Sequence, residues 1–275
     1  MREKDPTLFS VRLRVTAGHL TANQLQVIGQ AAQQYGSGEV HLTVRQAVEI
    51  PHVPAANLEP LRQELLAAGI VVGSTGKRVR SICGCPGAWC VHGLIDPLSL
   101  ARKLDALTVG RSELPAKFKI GITGCPNACV KPRSHDVGVM GVQRKRLHRE
   151  RCTLCGECVR ACPVPGALAL EEGKLVLNRR RCVQCGLCTR SCPVGAWENL
   201  GAAYAVFVGG RMGRSIVLGK RLPLLLDSEE EVTQAVPAMM DWYEANALPG
   251  ERFGMTVQRL GTPPLVAAIR EAVGY

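Results

Sequence analysis

The chain has 275 residues, 46% of them hydrophobic, which is enough for two modest domains or one domain with an insertion and excludes a disordered polypeptide. Its 13 cysteines fall in tight groups, and no apolar signal segment follows Met1-Arg2-Glu3-Lys4. Metal clusters in a reducing cytoplasm are therefore expected rather than disulfides, and no apolar run is long enough for a membrane span. The net charge of +11 would suit nucleic acid, but aromatics make up only 4% of the chain and do not alternate with the cations, so an enzyme handling anions is the better reading.

In chain order, residues 9 to 16 (FSVRLRVT) alternate as a half-buried strand does, which places Arg12 and Arg14 on one face and Val11, Leu13 and Val15 on the other. Thr21 then caps a helix running to Tyr35, closed by Gly36. Short strands are expected at Val40 to Thr43 and Ala47 to Ile50, around Arg45-Gln46. A second helix spans about Ala55 to Ala68 and stops at Gly69. This is a small α+β unit.

From Gly73 the texture changes to glycines and cations, a loop pattern carrying Arg80, Cys83, Cys85 and Cys90. Asp96 caps the next helix, to Leu107, with Pro97 at its first position. Lys117 and Lys119 flank Phe118 in an extended apolar segment, so both ammonium groups share a face. Gly124-Cys125-Pro126-Asn127-Ala128-Cys129 follows, a Cys-x3-Cys pair suited to two thiolates on one iron–sulfur cluster. Cys85 and Cys90 are the candidates for the other two. A strand is expected around Val137 to Val142.

Residues 151 to 193 contain an internal repeat. Cys152-x2-Cys155-x2-Cys158-x3-Cys162-Pro163 recurs as Cys182-x2-Cys185-x2-Cys188-x3-Cys192-Pro193. This is the two-cluster bacterial ferredoxin run, whose fourth cysteine ligates the other cluster. One [4Fe–4S] cluster is thus assigned to Cys152, Cys155, Cys158 and Cys192, and the other to Cys182, Cys185, Cys188 and Cys162. Zinc also uses Cys-x2-Cys pairs, but not eight cysteines in this doubled register. The basic flank from Arg144 to Arg151 reads as a solvated linker, or as a docking surface for an acidic donor. Beyond it, a strand is expected at Tyr204 to Val208, then a Gly-rich turn with Arg211 and Arg214 that matches no dinucleotide fingerprint, and a helix at Glu229 to Ala245.

Several of these stretches together resemble the sirohaem-containing sulfite and nitrite reductases. They are HLTVRQAVEI (41 to 50), Arg80-Ser81-Ile82-Cys83-Gly84-Cys85-Pro86-Gly87, LPAKFK followed by GCPNAC, and Gly209-Gly210 with Glu251-Arg252-Phe253-Gly254. Within that family the likeness is to the small anaerobic sulfite reductase catalytic subunits. The resemblance implies an α+β fold holding a single nitrite/sulfite reductase repeat with an inserted two-cluster ferredoxin domain. The boundaries expected are a ferredoxin-like unit at 1–72, a sirohaem and cluster domain at 73–147 and 199–275, and the insertion at 148–198.

It further implies three [4Fe–4S] clusters and one sirohaem. Cys85, Cys90, Cys125 and Cys129 would hold the coupled cluster, with Cys129 also reaching the haem iron. Arg14, Arg80, Lys117 and Lys119 would surround the substrate, and Arg45 would hold sirohaem carboxylates. Pairing of Cys83 with Cys90 stays open, because the spacing from Cys85 to Cys90 is one residue shorter than the family more often has. The implied reaction is six-electron reduction of sulfite to sulfide, with electrons from a separate donor protein entering through the insertion. Reduction of nitrite to ammonia, or a non-catalytic electron-transfer role, are the alternatives. Because only one repeat is present, a homodimer or a heterodimer with a related chain is expected, with Lys117 and Lys119 serving the partner's haem.

Overall fold

The computed structural model describes residues 1–275. The N-terminal unit is an antiparallel three-stranded sheet, β1 (Leu8–Arg12), β2 (His41–Leu42) and β3 (Val48–Pro54), in the order β1-β3-β2. Two helices cover it, α1 (Ala22–Tyr35) and α2 (Leu58–Ala67). The Thr21 hydroxyl accepts from the Gln24 N–H at 3.1 Å while the Gln24 side chain accepts from the Thr21 N–H at 3.0 Å, a reciprocal cap. Leu13, Ile28, Ile50, Leu61 and Leu65 are fully buried between helices and sheet.

The expected strand from 9 to 16 ends early. Register shifts between Phe9 and Val11, pairing with β3 stops at Arg12, and the chain turns so that Leu13 bridges Val72. Val11, Leu13 and Val15 still enter one core as the alternation expects, while Arg12 pairs with Glu49 and Arg14 with Asp105.

The larger unit is built on a five-stranded sheet of β4 (Cys83–Gly84), β5 (Ile120–Thr123), β6 (Val137–Leu147), β9 (Trp197–Val208) and β10 (Lys220–Leu226), in the order β10-β9-β6-β5-β4. The first three are mutually parallel, and β6, β9 and β10 run antiparallel. Its two faces differ, as period-two alternation requires. Val137 and Val139 of β6 and Val206 and Val208 of β9 join the main core under α3 (Pro97–Thr108), α6 (Glu229–Asn246), α7 (Phe253–Leu260) and α8 (Pro263–Val273). Met140, Val142, Ala203, Ala205 and Phe207 form the opposite face, against which Ala128 packs. The helix-free face therefore carries the Cys125–Cys129 loop.

β6 and β9 outrun their expected lengths and form a two-stranded arm from which residues 148–196 project. These hold two single-turn helices, α4 (Glu157–Arg160) and α5 (Leu187–Arg190), and a hairpin of β7 (Leu168–Glu171) and β8 (Lys174–Leu177). No helix in the chain is long and apolar enough to cross a membrane.

Candidate functional site

The seam between the two units is where the charged residues collect. Thr43, Arg45 and Gln46 form a tight turn: the Thr43 hydroxyl accepts from the N–H groups of Arg45 (3.3 Å) and Ala47 (3.1 Å), and Gln46 lies at φ 58°. The Gln46 amide then clamps the backbone of Gly84 from both sides, donating to its carbonyl and accepting from its N–H, each at 2.9 Å. Arg45 donates to the Ser81 carbonyl at 2.8 Å. This turn thereby fixes the small unit against the edge of the large sheet.

On the other side of the seam, Phe118 is buried and bridges Val79, so its neighbours Lys117 and Lys119 emerge beside Arg80. Arg12, Arg45, Arg80, Lys117 and Lys119 line one cleft of about 330 Å³. A second cleft, of about 440 Å³, shares Val44, Arg45 and Lys119 with the first and adds Cys83, Cys129, Lys131 and His135. Only Arg12 has a carboxylate partner among the five cations, Glu49. The shortfall of negative charge is reflected in their acidity. Burial, with Arg12 and Arg45 nearby, pushes Arg80 down to about 10, and burial with Arg45 and Arg252 pushes Lys119 down to about 8. The Arg80 Nε is buried without a partner. Such a cluster fits an anion, because unpaired buried donors and like charges are costly until one arrives.

His135 also lines the second cleft and is held neutral, near 4, chiefly by burial. Its Nδ1 lies 3.2 Å from the Lys131 carbonyl, which makes Nδ1 the protonated nitrogen and Nε2 the acceptor.

Arg14 is elsewhere than expected. Its Nε and Nη2 donate to Asp105 at 3.0 and 2.5 Å, and its Nη1 donates to the Val79 carbonyl at 3.0 Å. With the side chain buried in this pair, Arg14 does not line the cleft, and Arg12 stands there instead. Two residues that sequence reasoning missed sit behind Lys119. Asp136 is buried, accepts the Lys119 N–H at 2.9 Å, and is held by Arg252. The only sequence signal for Arg252 was its place in the ERFG stretch.

The thiols fall into three quartets. Cys85 accepts the Gly124 N–H at 3.1 Å, and burial pushes the Cys125 thiol up, with Cys85, Cys129 and Cys90 adding to it. Cys83 lies apart. Its Sγ is 3.3 Å from the Arg45 carbonyl, and its electrostatic neighbours are Arg45 and Lys119 rather than thiols. Of the two pairings left open, the geometry gathers Cys85 with Cys90. Cys85 and Cys125 are buried while Cys90 and Cys129 are exposed, so the quartet opens toward the cleft side through Cys129.

The close approach of this loop to the sheet depends on glycine. A Cβ on Gly141 would strike the Gly124 carbonyl, and one on Gly124 would come within 2.9 Å of the Gly87 Cα. In the projecting unit, Cys152, Cys155, Cys158 and Cys192 line one space, and Cys162, Cys182, Cys185 and Cys188 line the other.

Lys119 lines the same cleft as Cys129. Lys117 lines only the first cleft, so the two lysines face different spaces within one chain.

Residues 75–274 match the nitrite and sulphite reductase 4Fe-4S domain, and residues 1–68 match the nitrite/sulfite reductase ferredoxin-like half domain. The chain is 32% identical over 274 residues to the coenzyme F420-dependent sulfite reductase of Methanocaldococcus jannaschii, covering 98% of this chain but 43% of that protein. It is 32% identical over 264 residues to one of the subunits of the anaerobic sulfite reductase of Salmonella typhimurium, covering 88% of this chain and 76% of that one. Among solved structures, dissimilatory sulfite reductase I superposes with a TM-score of 0.76 over 95% of this chain and 69% of that chain, at 22% identity.

Proposed function

Because the chain belongs to the nitrite and sulphite reductase family, we propose that it catalyses the six-electron reduction of sulfite to sulfide. The observation that carries this reading is the pair of adjoining clefts, five cations in one and Cys129 in the other, joined through Arg45 and Lys119. Sirohaem and a [4Fe–4S] cluster, when bound, would supply the iron that takes the substrate and the single electrons that reduce it.

The chain's own residues do the rest. Arg45 and Arg12 in the first cleft are suited to the carboxylates of a macrocycle, and Arg80, Lys117 and Lys119 to a small oxyanion. Lys119, near 8, can both hold a proton at neutral pH and release it to a departing oxygen. His135 is neutral and keeps Nε2 as an acceptor in the second cleft. Cys85, Cys90, Cys125 and Cys129 are the ligand set for the coupled cluster.

The projecting residues 148–198 form the inserted ferredoxin domain with two [4Fe–4S] clusters, between the two parts of the sirohaem domain at 73–147 and 199–275, after the ferredoxin-like unit at 1–72. Its contacts support an order of electron flow. The half bearing Cys182, Cys185 and Cys188 touches the large unit: Gln184 and Thr189 bond Gln143, and Arg190 donates to the carbonyl of Val91, next to Cys90, at 3.3 Å. The half bearing Cys152, Cys155 and Cys158 is the outer one, where a separate donor protein would deliver electrons. Assembly with a second copy or a related chain remains part of the proposal, as do a cytoplasmic setting and sulfite as the substrate.

Steady-state kinetics with reduced viologen test this reading. A kcat/KM for sulfite above that for nitrite is expected. A strong preference for nitrite would move the reading to nitrite reduction, and no turnover of either by pigment-containing protein would move it to a non-catalytic electron-transfer role.

A further inference from the structure

The two halves of the projecting unit repeat each other in sequence and backbone, yet different side chains reach their thiols. Leu154 and Gly156 in the first half turn at φ 59° and 79°, and Gln184 and Gly186 in the second at 60° and 78°. Around the first quartet the donors are neutral. The Ala196 N–H donates to Cys192 at 3.2 Å, and the buried Trp197 indole N–H has no hydrogen-bond partner.

Around the second quartet the donor is an ammonium. Lys145 Nζ stands 3.3 Å from Cys182 Sγ and 5.6 Å from the Trp197 ring centroid, half-buried and without a carboxylate partner. Arg221 adds a second positive charge, bonded to Gln184 at 2.5 Å.

We propose that Lys145 raises the reduction potential of the cluster on Cys162, Cys182, Cys185 and Cys188 above that of its twin, making electron transfer run downhill from the outer to the inner half. The inference rests on the reading that both quartets hold [4Fe–4S] clusters. Reduction adds one electron, supplied by an iron–sulfur or flavin donor protein, and no proton or leaving group moves. The added negative charge is stabilised by a fixed cation in a medium less polarisable than water, and a charged donor is worth roughly twice a neutral one. Lys145 lies on β6 two residues beyond Gln143, which docks this half, so the cation sits on the inner side of the relay.

The test is an EPR-monitored redox titration of the full chain with its clusters, in wild type, Lys145→Gln, Lys145→Met and Lys145→Arg. At the wild-type midpoint of the affected cluster, the reduced-to-oxidised ratio should fall about tenfold in Lys145→Met, equivalent to 59 mV for one electron. Lys145→Gln should fall less, Lys145→Arg should stay near wild type, and the other ferredoxin-type signal should not move. Equal shifts of both signals, or none in any variant that retains wild-type iron and sulfide, would overturn the role of Lys145. Wild-type protein reconstituted with iron and sulfide but lacking the two ferredoxin-type signals would instead sink the cluster reading on which it rests.

Discussion

Arg252 bonds both carboxylate oxygens of Asp136 at 2.8 Å across 116 residues of sequence, while Asp136 accepts the backbone N–H of Lys119. The start of α7 thus holds the strand edge from which Lys119 reaches the cleft. A buried carboxylate that loses its ion-pair partner is left poorly compensated, and breaking such a pair costs about 3–5 kcal/mol. Arg252→Ala should therefore lower unfolding free energy by that order in denaturant titrations, and Arg252→Ala with Asp136→Asn should recover part of it. Equal stability of Arg252→Ala and wild type would contradict this bond as a structural clamp.

Lys119 makes substrate binding pH-dependent. Its acidity is pushed down to about 8, so it carries a charge below that pH and loses it as pH rises through 8. The cleft's attraction for an oxyanion falls with it, and KM for sulfite should rise from about pH 8 upward. Lys119→Arg should move that rise to higher pH because guanidinium stays protonated. Lys119→Met should raise KM at neutral pH and flatten the profile. A KM profile unchanged in Lys119→Met would remove the residue from the binding site.

Arg14 and Arg80 should separate stability from binding. Arg14→Ala leaves Asp105 without its partner and the Val79 carbonyl without its donor, with an expected loss of about 3 kcal/mol in stability and little change in KM. Arg80→Ala, at the cleft surface, should do the reverse, raising KM about tenfold or more with a smaller stability cost. If Arg14→Ala raised KM as much as Arg80→Ala did in folded protein, Arg14 would belong with the substrate cations after all.

Gly186 controls the seating of the inserted unit. It lies at φ 78°, and a Cβ there would overlap the Gln143 amide oxygen. Gly186→Ala combines about 1–2 kcal/mol of backbone strain with that clash. Turnover with a protein donor should drop more than turnover with viologen, which can reach the inner centre directly. Equal losses with both donors would argue against a relay through this contact.

Much of this was legible in the sequence because it rests on local chemistry. Cysteine spacing, the Thr21 and Asp96 caps and the Lys-Phe-Lys alternation each act within a few residues. The exchange of Arg12 for Arg14 was not, because it follows from the carboxylate each arginine meets, Glu49 for Arg12 and the sequence-distant Asp105 for Arg14. β6 and β9 were read short because stretches such as Arg144-Lys145-Arg146 show no apolar alternation and owe their strand form to pairing with each other. Helices α7 and α8 went unread, and with them the Asp136–Arg252 bond. Their apolar faces belong to the core of the large unit, a context that only the folded chain supplies.

The most direct measurement is pigment, iron and acid-labile sulfide analysis of the anaerobically purified chain, together with its visible spectrum and sulfide production from sulfite. Sirohaem absorption, about thirteen irons per chain (three clusters of four and one haem iron) and sulfide as product are expected. Protein with its clusters intact but no sirohaem and no sulfide formation would contradict a sulfite-reducing centre in the clefts of Lys119 and Cys129.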